Sequence, residues 1–170
     1  MASELIVQTI QGPSSGANAN KVLIPSGHTL DVSGGTLVPS AGQVVQVVNR
    51  TDVSATGTSS TSFVNSGVNV TITPKFANSK IFIQFIGTSY STGSGKYTIY
   101  RDATNLELIS HAQVGSGSIN YSPSTLAVFD EPNTTSLVTY SVYYAANSGS
   151  VYWPPGSADV TQCIAMEIAQ

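Results

Sequence analysis

The chain has 170 residues, a formal net charge of −3 and a charged fraction of 9%, against about 25% in ordinary globular domains. Coiled coils and long surface helices need Glu, Lys and Arg at fixed spacing and are excluded, and six Lys and Arg against nine Asp and Glu leave no basic footprint for nucleic acid or an anionic membrane. A hydrophobic content of 41% is too high for a disordered chain, so composition gives a folded protein with a Ser/Thr-rich, nearly uncharged surface.

Residues 1–21 read as an N-terminal attachment segment. Met1 to Glu4 offer neither the basic nor the apolar region of a signal peptide, so synthesis without export is expected. Leu5, Ile6, Val7, Gln8, Thr9 and Ile10 form a strand-prone run, followed by a loop rich in Gly, Pro, Ser and Asn. An isolated strand of this kind docks on its own domain or adds to the sheet edge of another protein.

Residues 22–48 contain an internal echo. Leu23-Ile24-Pro25-Ser26-Gly27-His28-Thr29-Leu30-Asp31-Val32 reads against Leu37-Val38-Pro39-Ser40-Ala41-Gly42-Gln43-Val44-Val45-Gln46-Val47, with Ala41 as an insertion. Each unit is a short strand halted by Pro, a Gly turn and a second short strand. Neither holds enough apolar residues for a core, and such units gain stability by stacking on copies. The expectation is a short β-stalk in which Leu23, Ile24, Leu30, Val32, Leu37, Val38, Val45 and Val47 of three chains pack around a threefold axis. A plain hairpin packed on the main domain is the alternative.

Residues 49–170 form the head, and the all-β pattern starts near Val44. Val68 to Thr73 alternates cleanly and stops at Pro74. Lys80 to Ile86 is apolar on both faces, as in a central strand between two layers, and Lys96 to Arg101 follows a Gly-Ser turn as its hairpin partner. Further strands are expected at Leu106–Ile109, Leu126–Phe129, Leu137–Ala146 and Val160–Ile168. No segment keeps helical spacing for three turns. The pattern predicts an all-β, jelly-roll-like antiparallel sandwich with Ile81, Ile83, Phe85, Ile99, Val142 and Ile164 in its core. The apolar stretch Ile81 to Ile86 is far short of a membrane span, so no membrane insertion is expected.

Chemistry is sparse. Cys163 is a lone cysteine in an apolar strand and reads as a small buried hydrophobe. His28 and His111 lack partners at metal-ligand spacing. His111 with Asp102 or Asp130 and one of many serines makes a triad only on paper, without a G-x-S-x-G elbow. Asp130-Glu131 reads as a solvated turn before Pro132. No catalytic residue, metal or cofactor is expected. The aromatics say more: Tyr143, Tyr144, Tyr152 and Trp153 gather late in the chain, and Trp153-Pro154-Pro155-Gly156 is a stiff loop. Tyr152 and Trp153 either close the sandwich or a subunit interface, or form an exposed platform for sugar.

The block from Gly16 to Val32, the run Val70-Thr71-Ile72-Thr73-Pro74-Lys75 with Asn78-Ser79-Lys80-Ile81, and the closing Met166-Glu167-Ile168 together resemble virion proteins of marine bacteriophages. The resemblance covers residues 16–170 and implies a homotrimeric, β-rich appendage on the virion surface, of tail-fibre or of head-fibre and capsid-decoration type. On that reading Leu5, Ile6, Val7, Thr9 and Ile10 attach the protein to another virion protein, tail or capsid. The head meets host-surface glycan or protein. The alternative is a decoration protein pinned to the capsid shell with little receptor role.

Overall fold

The computed structural model describes residues 10–19, 21–31, 38–53, 56–106, 110–113, 120–156 and 158–170. The chain divides into two compact units, residues 1–38 and 39–170.

In the first unit the described residues contain no strand. The Pro25-Ser26-Gly27-His28 turn closes through His28 N–H donating to Pro25 O at 3.1 Å, with Gly27 at φ 81°. Gly is needed there because the third position of such a turn lies in the left-handed region. The echo makes the same turn in the second unit: Gln43 N–H donates to Ser40 O at 3.1 Å, and Gly42 has φ 84°. Leu23, Ile24, Leu30 and Val38 are exposed, whereas Val32 and Leu37 lie outside the described residues. So does the run Leu5 to Thr9; Ile10 is exposed and not in a strand.

The second unit is an antiparallel sandwich. Its strands among the described residues are β1 (Val44–Asp52), β2 (Gly57–Thr58), β3 (Val64–Ile72), β4 (Lys80–Ser91), β5 (Ser94–Arg101), β6 (Thr104–Asn105), β7 (Ser110–Gln113), β8 (Asn120–Asp130), β9 (Val138–Ser148), β10 (Val151–Tyr152) and β11 (Thr161–Ile168). The first sheet runs β1-β11-β4 and continues to β8, with β10 and β2 on the far end of β4; the second runs β3-β9-β5, with β6 and β7 on β5. With the short pieces set aside, the orders β1-β11-β4-β8 and β3-β9-β5-β7 are those of an eight-stranded jelly roll.

The core follows from period-two alternation. Val68, Val70 and Ile72 of β3, Ile81, Ile83 and Phe85 of β4, Tyr97 and Ile99 of β5, Leu126 of β8, Val138, Tyr140, Val142 and Tyr144 of β9, and Cys163 and Ala165 of β11 form one buried cluster between the sheets. At Gly95 a Cβ would run into the Val151 side chain and the Ala145 carbonyl, so the two sheets approach too closely there for any other residue.

Four expectations change. The stalk–head boundary after residue 48 falls inside β1, because Val44–Asp52 pairs along its length with β11; Val45 and Val47 therefore belong to the sandwich. Lys96–Arg101 is not the hairpin partner of Lys80–Ile86: β4 and β5 lie in different sheets. The intervening corner is tied down elsewhere, with Thr92 N–H donating to Ser150 O and Ser150 N–H to Thr92 Oγ1, both at 3.0 Å. Ile164 is only half-buried, since Cys163 and Ala165 take the inward positions of β11. Leu106 precedes a stretch outside the described residues and is not in a strand.

Phe85→Ala should cost roughly 3–5 kcal/mol, because the ring is fully enclosed, and Ile164→Ala much less. Urea midpoints of the two variants check this; equal losses would put β11 in the opposite register.

Candidate interaction surfaces

The most buried carboxylates of the sandwich are used internally. Glu167, 0% exposed in β11, accepts from the Lys75 and Phe76 main-chain N–H groups at 2.8 and 3.1 Å, from the Ser79 hydroxyl at 2.7 Å and from Gln46 Nε2 at 2.6 Å. Burial alone would raise its pKa, but these donors outweigh burial and hold the carboxyl below its ordinary value. The carboxylate thus fastens the crossover from β3 to β4 onto the first sheet. Asp130 is not in a solvated turn. It accepts both Arg101 Nη1 contacts at 2.8 Å and the Tyr140 hydroxyl at 2.7 Å, joining β8 to β5 and β9 across the sandwich. The Tyr140 phenol is pushed far above its usual range, first by burial and then by that carboxylate. Glu131 pairs with Lys80 at 3.0 Å, and Asp52 with Arg50 at 3.0 Å. Asp102 accepts from Thr139 N–H at 3.0 Å. His111 is placed in β7 opposite Lys96. Cys163 is buried, and desolvation followed by the Asp52 charge pushes its thiol up to about 12.

Trp153 does not reach the surface, which corrects its assignment as a receptor contact. It is 0% exposed, donates from Nε1 to Thr161 Oγ1 at 3.1 Å and meets Tyr97 edge-on at 5.4 Å. Tyr152 behaves differently. It belongs to a row on the outer face of the first sheet, Tyr152–Tyr90–Tyr121, with both ring pairs 4.9 Å apart.

That outer face is the surface the sequence did not reveal. Register places Val47, Met166, Phe82 and Phe129 side by side across β1, β11, β4 and β8, all pointing away from the core. Phe82 and Phe129 are 5.0 Å apart, and Val47 and Phe129 are 54% and 58% exposed. Ile164, Gln84, Ala127, Ile86 and Thr125 continue the face toward the tyrosine row. The one signal in the sequence was the two-sided apolar run of β4.

Among the described residues the second sheet is polar outside, as Asn69, Thr71 and Thr139 show, apart from one aromatic group. There Tyr100 and Tyr143 stack at 3.9 Å, Phe63 meets Tyr100 edge-on at 6.3 Å, and Lys96 Nζ lies 5.2 Å from the Phe63 ring centre. In the first unit Ile10, Gln11, Gly12, Ser14 and Val22 line an open cleft of about 420 Å³.

Strand order and register define the protein as an antiparallel jelly-roll sandwich with a largely apolar outer face on one sheet, where the Lys80–Glu131 pair sits at the margin. No family model and no curated protein matches its sequence. Among solved structures it is similar to the VP2 subviral particle of infectious bursal disease virus, at 15% identity and a TM-score of 0.39 over 93% of this chain and 46% of that one. It is similar too to the structure of the Gt strain of that virus, at 14% identity and a TM-score of 0.37 over 86% of this chain and 43% of that one. The chain spans less than half the length of these proteins, and the jelly-roll assignment stands on its own strand order.

Two solution measurements follow. Cys163 should resist a thiol reagent at about pH 8, where an ordinary thiol near 8.5 reacts readily, and should label only on denaturation; fast labelling of folded protein would contradict its burial. For Glu167 the folded pKa lies below the unfolded one, so its contribution is present above the unfolded value and is lost as pH falls through the folded value. Glu167→Gln should therefore flatten the fall in urea midpoint below about pH 4.5, and an unchanged slope would assign the acid limb to other carboxylates.

Proposed function

We propose that this chain is a non-enzymatic structural protein of a virus particle, a trimeric appendage on the virion surface that presents its β-sandwich head for binding host-surface glycan or protein. The observation that carries this reading is where the sandwich spends its ionisable groups. Glu167 and Asp130 tie strands and crossovers together, while the outward faces offer aromatic and apolar side chains with little charge. Such surfaces bind and assemble, and their interactions change little with ionic strength because few charges exist to be screened. The resemblance of the Gly16–Val32 and Val70–Lys75 blocks to phage virion proteins supplies the particle. The Tyr100, Tyr143 and Phe63 rings, with Lys96 and Asn65 beside them, make a receptor-facing patch of the kind that stacks on sugars. Exposed Leu23, Ile24, Leu30 and Val38 supply stalk contacts between copies, and the Leu5–Ile10 run adds to the sheet edge of another virion protein.

Cryo-electron microscopy of particles carrying the protein tests the placement. Density at the tail is expected for a receptor-binding appendage. A regular array on the capsid lattice would replace that role with decoration, and absence from purified particles would overturn the virion reading. Deleting residues 1–11 should leave a folded protein that no longer joins particles; a chain that fails to fold would assign the run to its own domain.

A further inference from the structure

We infer that the outer face of the first sheet, built on Val47, Met166, Phe82 and Phe129, is where copies of this chain meet. The inference rests on the homo-oligomeric reading above and places the contact on the head rather than on the stalk alone.

A strand apolar on both sides is the pattern of a sheet covered on both sides. Within the sandwich β4 is covered on one: Ile81, Ile83 and Phe85 face the second sheet, while Phe82 and Ile86 face outward. The second sheet shows that this is no general habit of the fold, because β3 alternates apolar with Asn69 and Thr71. The neighbours of β4 share its outward character, so the apolar row spans all four strands.

The chemistry of the face selects the occupant. Its charged groups among the described residues, Lys80 and Glu131 at one margin, are paired with each other at 3.0 Å. A charged partner such as nucleic acid or an anionic headgroup would find nothing to neutralise it, and a typical protein surface would strand its own charges. A second copy brings the same uncharged apolar surface. Four strands about 4.8 Å apart where β4 pairs with β11, and two along the rest of β4, at about 3.3 Å per residue give a footprint of roughly 600 Å², against the roughly 800 Å² per partner of a stable interface. Val47, expected from the echo to lie between chains, stands in this row, one strand inside the head.

The test is sedimentation of the full-length chain at micromolar concentration beside Phe129→Asp and Val47→Lys, which place charges on two different strands of the face. The wild type should sediment as a homo-oligomer. Both variants should dissociate, with association weakened about 100-fold or more by an unpaired buried charge, while circular dichroism and a cooperative thermal transition show each still folded. Thr71→Asp, on the outside of the second sheet, should assemble as the wild type does. An oligomeric wild type whose two face variants assemble unchanged would overturn this inference and leave the oligomeric reading intact. A monomeric wild type would overturn both. If one variant fails to fold, the other decides.

Discussion

Two sheets enclose one interior, so a two-layer sandwich by itself covers only one of the two sides of every strand. This constraint organises the molecule. Where the sequence alternates, as in β3, the uncovered side is Asn and Thr and the problem is solved by solvent. Where it does not, as in β4, β8 and β11, the chain leaves Phe, Met and Ile at or near the surface. The cost of exposed apolar area is about 25 cal/mol for every Å² that a partner could cover, which makes the first sheet the side of the head with most to gain from company.

The same economy governs charge. With nine acidic and six basic side chains in the whole protein, the sandwich places two carboxylates where they do structural work. Glu167 receives donors from a loop that leaves one sheet for the other, and Asp130 receives an arginine and a tyrosine from strands of the opposite sheet. A buried carboxylate with this many donors is stabilised in its charged form, whereas losing one partner would leave part of the desolvation cost uncompensated. These anchors fix how the sheets connect, a matter on which a hydrophobic core, being non-directional, has little say.

Much of the fold was legible because alternation is a local signal. Val138, Tyr140, Val142 and Tyr144 share a buried face as their spacing requires, and Ile81, Ile83 and Phe85 do likewise. What was not legible depends on tertiary choice. A Gly-Ser turn marks a reversal, but it cannot say whether the reversal pairs two strands or turns a corner between sheets, and the β4–β5 turn is a corner. In β11 both sides are apolar, and the smaller pair, Cys163 and Ala165, goes inward opposite Phe85 and Ile83. The larger Ile164 and Met166 point out, so size alone misleads; Glu167 shares the inward parity and is held there by its donors. For Trp153 the sequence left open whether it closes the sandwich or forms an exposed platform, and its indole N–H, donating to a buried acceptor in Thr161, places it inside. The outer row was invisible for a simpler reason: it joins residues from four strands, and only register puts Val47, Met166, Phe82 and Phe129 together.

A chain with so little charge and an apolar face needs some protection from indiscriminate pairing, and the sheet edges provide it. Unpaired edges are the usual route to open-ended strand addition. At one margin of the first sheet β1 carries the Arg50–Asp52 ion pair and a register shift between Val44 and Gln46; at the other, β8 carries Pro123, which offers no N–H. In the second sheet β3 has its own shift between Asn65 and Asn69. Irregular, proline-bearing or charged edges do not extend into fibres easily, whereas the smooth outer row between β1 and β8 has no such interruption. On the inference drawn above, association would be steered from the edges to the face, and a face of limited extent favours a closed assembly over an endless one. On the proposed reading of a particle appendage, that distinction would separate a defined oligomer from an aggregate.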